Sequence, residues 1–204
     1  MKENCSTSEA NRKLAHDYTD AIFVGVGGCG INTISRLRRA GVRGSRTVCI
    51  NRFVEELPIK GEDVVNFALL GKKSDPGYYR VPISQEERTV AEKRIREMLH
   101  GAKKMLLFAG LGGFTGTAIA PVAAAAAKAE GVTLGMVITY PFKLERKRRE
   151  LADKAYPALE GMADDFILRR NDDLVHLCPE KPMNEAFELL DMQIANEIKN
   201  GAQT

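Results

Sequence analysis

The sequence predicts an α/β fold: a Rossmann-like parallel sheet with helices on both faces. Short apolar runs of strand length alternate with segments of helical periodicity along the chain. Two of those runs open directly into glycine-rich loops that lead into helices, the usual entry to a βα unit. Its 204 residues, 44% apolar and 28% charged, suffice for one sizeable domain with a real core.

Residues 8–19 have helix-forming composition ahead of any strand, so 1–20 reads as an N-terminal extension carrying a short helix. Residues 21–24 form an apolar strand. Ile31, Ile34 and Leu37 then recur at helical spacing up to a stop at Gly41, and 47–50 is the second strand. The pattern weakens from 51 to 82, with one strand near 64–69 and a turn-rich loop at 72–80 that contains Asp75, Pro76 and Gly77. Ser84 and Glu87 have capping-box spacing, which starts a helix running to about His100.

A strand at 104–109, an alanine-rich helix at 115–129 and a strand at 132–139 follow. Next come a charged helix at 144–159 and a strand at 165–168. Residues 183–200 form an amphipathic helix with Ala186, Leu189, Leu190, Ile194 and Ile198 on one stripe. The main domain therefore spans 21–182, and 183–204 is a closing helix and chain end.

A formal net charge of +3 is too small to argue for nucleic acid or an anionic membrane. No apolar run approaches the roughly 18 to 20 residues of a membrane helix, and the first twenty residues are polar. The expected location is the cytoplasm, with no integral membrane segment. Cys5, Cys29, Cys49 and Cys178 are scattered without a CxxC pair, which speaks against a zinc site or a disulfide framework. No metal ligand set is expected. Cys5 apart, the thiols read as small buried core or loop residues.

The chemistry concentrates in the two loops. Gly25-Val26-Gly27-Gly28-Cys29-Gly30 fits G-x-G-x-x-G between a strand and a helix, and offers backbone amides and a helix N-terminus to a phosphate. A dinucleotide site would use the same loop, with an acid after the second strand for the ribose hydroxyls. Asn51-Arg52 stands there instead. It disfavours NAD and leaves an NADP-dependent oxidoreductase as an alternative. The second loop, Gly110-Leu111-Gly112-Gly113-Phe114-Thr115-Gly116-Thr117, again lies between an apolar strand and a helix. No G-x-x-x-x-G-K-[ST] occurs, so phosphate charge falls to amides, helix dipoles and hydroxyls, with room for Mg2+.

The second loop resembles the G-G-G-T-G-T-G signature of the FtsZ/tubulin family, with Phe114 in place of its third glycine and Ala118 in place of its last. Gly25 through Asn32 resembles that family's first phosphate loop, and Pro141-Phe142-Lys143-Leu144-Glu145 with Arg149 is similar to its P-F-x-F-E-x-x-x-R segment. The resemblance runs from about Asp20 to about Asn200. It implies a site for GTP or GDP. Gly27, Gly28, Cys29, Asn32, Gly112, Gly113, Phe114, Thr115, Gly116 and Thr117 would surround the phosphates. Pro141, Glu145 and Arg149 would lie at the ribose, and Asn171, Phe187 and Asp191 at the base. Phe187 and Asp191 are four apart and share a helix face, so a ring would pack on the base while a carboxylate accepts from its edge.

By the same resemblance the partner would be an FtsZ-like homologue or a second copy, in cell division or cytoskeletal assembly. Asn51-Arg52-Phe53 replaces the family's N-T-D, and residues 72–80 replace its glycine-rich third loop. Arg52 and two lysines would then compensate phosphate charge directly. The family's acidic loop, which completes the site of the next subunit, has no match, and no residue is an obvious base for hydrolysis. The expectation is nucleotide binding without efficient self-activated hydrolysis. The alternative is a true GTPase completed by a partner or a longer chain, and a domain that binds no nucleotide and serves only as an interaction module is a further reading.

Overall fold

The structure, a computed structural model, describes residues 14–70, 82–177 and 180–201. The expected loop at 72–80, Cys5 and Cys178 lie outside the described residues. Six strands form one parallel sheet in the order β3-β2-β1-β4-β5-β6. They are β1 (Ile22–Val26), β2 (Arg46–Asn51), β3 (Val64–Ala68), β4 (Lys104–Gly110), β5 (Thr133–Tyr140) and β6 (Asp165–Arg170). The helices are α1 (Gly27–Arg39), α2 (Gln85–Leu99), α3 (Phe114–Ala129), α4 (Arg146–Met162), α5 (Asn171–Leu177) and α6 (Met183–Gly201).

Strand alternation sends side chains to two separate cores. Val24, Val48, Leu107 and Met136 face one side, where Ala91 and Ile95 of α2, Ile119 and Ala123 of α3 and Leu159 of α4 cover them. Phe23, Cys49, Phe108 and Val137 face the other, beneath Ile31, Ile34 and Leu37 of α1 and Ile194 and Ile198 of α6. With both faces buried, the central strands read as continuous apolar runs, as parallel strands do. The strand order reverses direction between β1 and β4, which pair directly with Val24 opposite Leu107. The two glycine loops follow these two strands and meet at the switch point of the sheet.

The predicted elements recur with shifted ends. α1 begins at Gly27, so the last four residues of the first glycine segment, Gly27 to Gly30, are already helix. Helical packing there requires Gly30, because a Cβ on it would lie 2.0 Å from the Phe108 carbonyl oxygen of β4. α4 begins at Arg146, and Leu144 stands 94% exposed ahead of it. Leu189 is also turned outward, and Ala195 takes its expected place against the sheet. α5 and a short 3-10 turn at Val54–Glu56 were not expected. Among the cysteines, Cys49 is buried and Cys29 is exposed, against the expectation that both are buried.

The capping box holds as read: Glu87 N donates to Ser84 Oγ and Ser84 N donates to Glu87 Oε2. The leading helix does not extend through its described part, since residues 14–19 are not helical. Asp165 at the start of β6 holds them instead. Its Oδ2 accepts from the His16 amide at 3.0 Å and the Tyr18 hydroxyl at 3.0 Å, with His16 Nδ1 at 2.8 Å. A buried carboxylate that needs donors thus overrides local helix propensity. Burial pushes Asp165 up, but these hydrogen bonds outweigh it and hold its pKa below 3.8.

Candidate functional site

A cleft of about 400 Å³ opens at the carboxyl end of the sheet between α1, α4 and α6. Six of the residues read from the sequence line it: Gly28, Cys29 and Asn32 from α1, Asn171 at the start of α5, and Phe187 and Asp191 from α6. Gly28 alone is shared with a neighbouring cleft of about 300 Å³, to which Phe114 and Thr115 of α3 contribute. The two clefts adjoin at Gly28, the first carrying the α6 side chains and the second Phe114 and Thr115 of the second glycine loop.

The starts of α1 and α3 are built alike. Their N-cap residues, Val26 and Gly113, place no side-chain oxygen on the first-turn amides, so both ends keep free donors and positive dipole ends. The two ends approach closely. Gly27 has φ +70°, and a Cβ there would lie 3.1 Å from the Gly116 amide nitrogen. The second loop is braced from within by Gly112 N donating to Thr117 Oγ1 at 2.8 Å, so this hydroxyl is already engaged.

At the other end Asp191 is 7% exposed. Burial pushes its carboxyl above the ordinary value of 3.8, against the opposing pull of Arg36, Thr33 and Arg169. Arg36 Nη1 donates to Asp191 Oδ2 at 2.9 Å. Phe187 packs half-buried beside Leu174, Ala186, Leu190 and Phe142. Two buried polar atoms here have no partner, Asn171 Oδ1 and Arg169 Nε. An orphaned acceptor and donor in a cleft are costly unless something completes them.

The region expected at the ribose is arranged differently. Arg149 does not line the main cleft; its guanidinium donates to the Pro141 carbonyl and to Asp172, both at 3.1 Å, and stacks on Tyr140. Arg148 lines the cleft instead, donating to Glu145 Oε1 at 2.6 Å, while Glu145 Oε2 accepts from the Phe142 amide. α4 starts one residue beyond Glu145, and that phase turns Arg148 inward and Arg149 toward α5.

Arg52 is not available as a phosphate ligand. It is 3% exposed, its Nε and Nη2 donate to the two Glu87 oxygens at 3.1 Å, and Nη2 also reaches the Pro82 carbonyl. Among the described residues no group of three or more His, Cys, Asp or Glu is placed to hold a metal ion. No described helix is long and apolar enough to cross a membrane.

Sequence reasoning missed Arg36, Arg148 and Arg169 as cleft residues. Arg36 is one helical turn after Asn32 and was findable from that spacing. The inward choice of Arg148 over Arg149 carries no sequence signal.

Fold and cleft together define a doubly wound α/β domain with paired, uncapped glycine-loop helices at its switch point. The family model described as Tubulin/FtsZ family, GTPase domain, matches residues 20–179. Cell division protein FtsZ 2 of Methanocaldococcus jannaschii is 35% identical over 208 residues, covering all of this chain and 54% of that protein. Cell division protein FtsZ 1 of Thermococcus kodakarensis is 34% identical, covering 98% of this chain and 54% of its own length. Among solved structures, an empty FtsZ dimer from M. jannaschii superposes with TM-score 0.70 at 28% identity, over 87% of this chain and 52% of that one. CetZ from Methanosaeta thermophila, at 16% identity and TM-score 0.63, shares the fold. The chain belongs to the tubulin/FtsZ family and contains its GTPase-domain fold. It spans about half the length of the curated relatives it matches.

Proposed function

We propose that this domain binds guanine nucleotide, with the base between Phe187 and Asp191 and the phosphates at the starts of α1 and α3. One observation supports this above the others: two adjoining clefts carry an unpartnered acceptor, Asn171 Oδ1, and a buried carboxylate at one end, and two converging uncapped helix N-termini at the other. Guanine presents N1–H and an exocyclic amine as donors to the carboxylate. Adenine presents an acceptor at that edge and would leave Asp191 unsatisfied. The amides and dipoles at the other end suit phosphate oxygens. The chemistry of the two ends therefore suits a purine nucleotide. Asn32 lines the main cleft, Gly112 and Gly113 shape the loop that leads into α3, and Glu145 acts through its grip on Arg148.

In this reading the nucleotide is bound and not turned over efficiently by the domain alone, since among the described residues no side chain in either cleft is placed as a base for water with a free lone pair and a partner to orient it. Hydrolysis would need an acid supplied by a second copy or an FtsZ-like homologue. The proposed setting is cell division, the process in the names of the relatives, with cytoskeletal assembly in the cytoplasm as the accompanying expectation.

Calorimetric titration with GDP, GTP, ADP and NADP tests the assignment. Guanine nucleotides bind much more tightly than ADP or NADP; equal binding of ADP refutes the base assignment, and NADP binding alone would favour an oxidoreductase. Phosphate release measured alone and with a full-length FtsZ tests the second part, and rapid turnover by the isolated domain overturns it.

A further inference from the structure

The neighbouring cleft has a composition that does not suit the phosphate that would reach it. A nucleotide with its base at Asp191 runs its phosphate chain toward Gly28, the residue common to both clefts. The first two phosphates then lie over the converging starts of α1 and α3. A third enters the space bounded by Asn51, Arg52, Glu56, Phe114 and Thr115.

Three features of that space oppose a terminal phosphate. Phe114 is the first residue of α3 and 39% exposed, and it contributes an apolar side chain without a donor to this space. Glu56, on the 3-10 turn after β2, places a carboxylate in the same space and has no basic partner among the described residues. Arg52, the cation among these residues, already has its charge matched by the Glu87 carboxylate. The charges of the described lining, Arg52 and Glu56, sum to zero, and with Arg52 held by Glu87 from outside the cleft the Glu56 charge is left uncompensated, while a terminal phosphate brings close to two further negative charges.

We infer that this domain is selective for the nucleoside diphosphate over the triphosphate, with Phe114 and Glu56 as the residues that exclude the terminal phosphate. This rests on the guanine-nucleotide reading above and sharpens it. The site then holds a product-like ligand in its resting state, and the second glycine loop serves to bind two phosphates instead of sensing a third.

The test is competition binding of GDP, GTP and a non-hydrolysable GTP analogue to the full chain, in EDTA and again with Mg2+. GDP binds at least roughly tenfold more tightly than either triphosphate in both conditions, the size of effect that one unscreened like charge at close range produces. Glu56→Gln narrows the ratio several-fold by strengthening triphosphate binding while GDP affinity holds, and Phe114→Gly narrows it further, read as the GDP to GTP ratio alone because Phe114 begins the helix that meets the phosphates. Glu56→Gln removes only a charge from a half-buried turn, so the test survives even if Phe114→Gly folds poorly. Equal GDP and GTP affinity in the unaltered chain overturns the inference, as does an unchanged ratio in both variants. A triphosphate preference that appears only with Mg2+ also overturns it, because Glu56 would then be acting through a cation. Failure to bind GDP at all refutes the guanine-nucleotide reading instead, and is told apart by that result.

Discussion

Replacing Asp191 with alanine separates base recognition from everything else the cleft does. The carboxylate is 7% exposed, and its Oδ2 is held by Arg36 at 2.9 Å, so its position is set before any ligand arrives. Such preorganisation lets a bound guanine form hydrogen bonds to an ionised acceptor at little ordering cost. A hydrogen bond to a charged group contributes about 1.5 to 3 kcal/mol, which corresponds to roughly a 10- to 150-fold loss of GDP affinity in Asp191→Ala. ADP, which gains nothing from the carboxylate, is expected to bind the variant no worse than it binds the original chain. The GDP to ADP ratio therefore collapses from the guanine side.

Inosine diphosphate refines the experiment, since it keeps N1–H and lacks the exocyclic amine. It should fall between GDP and ADP on the unaltered chain and converge with GDP on the variant. Arg36 loses its partner in Asp191→Ala, and with side chains only 23% and 9% exposed the folding cost is about 1 to 3 kcal/mol. Urea denaturation of the variant checks that the binding loss is not unfolding. An unchanged GDP to ADP ratio in a folded variant would falsify the assignment of the base to this end of the cleft.

Other perturbations probe the frame. Glu87→Gln breaks a buried pair with Arg52, whose side chain is 4% exposed, and weakens the cap of α2; a loss of about 3 to 5 kcal/mol in urea unfolding is expected, and one below about 1 kcal/mol contradicts the pairing. Gly30→Ala drives a methyl into the Phe108 carbonyl and should cost at least about 3 kcal/mol, whereas Gly28→Ala meets nothing within 4 Å and should stay within about 1 kcal/mol of the original. Acidification should weaken GDP binding starting above pH 3.8, because burial raises the Asp191 pKa and the protonated acid cannot accept the guanine donors in the same way; a GDP to ADP ratio flat down to pH 3.8 argues against it. Folding stability responds to Asp165 with the depressed-carboxylate sign: its hydrogen bonds contribute fully above 3.8 and are lost as pH falls through its lower folded value. Asp165→Asn should flatten that acid limb in urea unfolding curves.

How much of this was readable in advance divides along physical lines. Periodicity, the Ser84–Glu87 capping box and the glycine punctuation after two apolar runs depend on neighbours within a turn or a pleat, so the sequence alone determined the order of strands and helices and the existence of both loops. It also placed Gly28, Cys29, Asn32, Asn171, Phe187 and Asp191 on one list, and the fold brings those six to one cleft. The direction of charged side chains was decided elsewhere. Arg52 reads as a phosphate ligand in sequence and meets Glu87, 35 residues away, in the fold. Arg149 reads as the sugar-side cation, and the phase of α4 sends Arg148 into the cleft in its place. Asp191 meets Arg36 across 155 residues. A long, flexible, charged side chain has many local rotamers of similar energy, so its partner is chosen by whichever opposite charge tertiary packing leaves within reach.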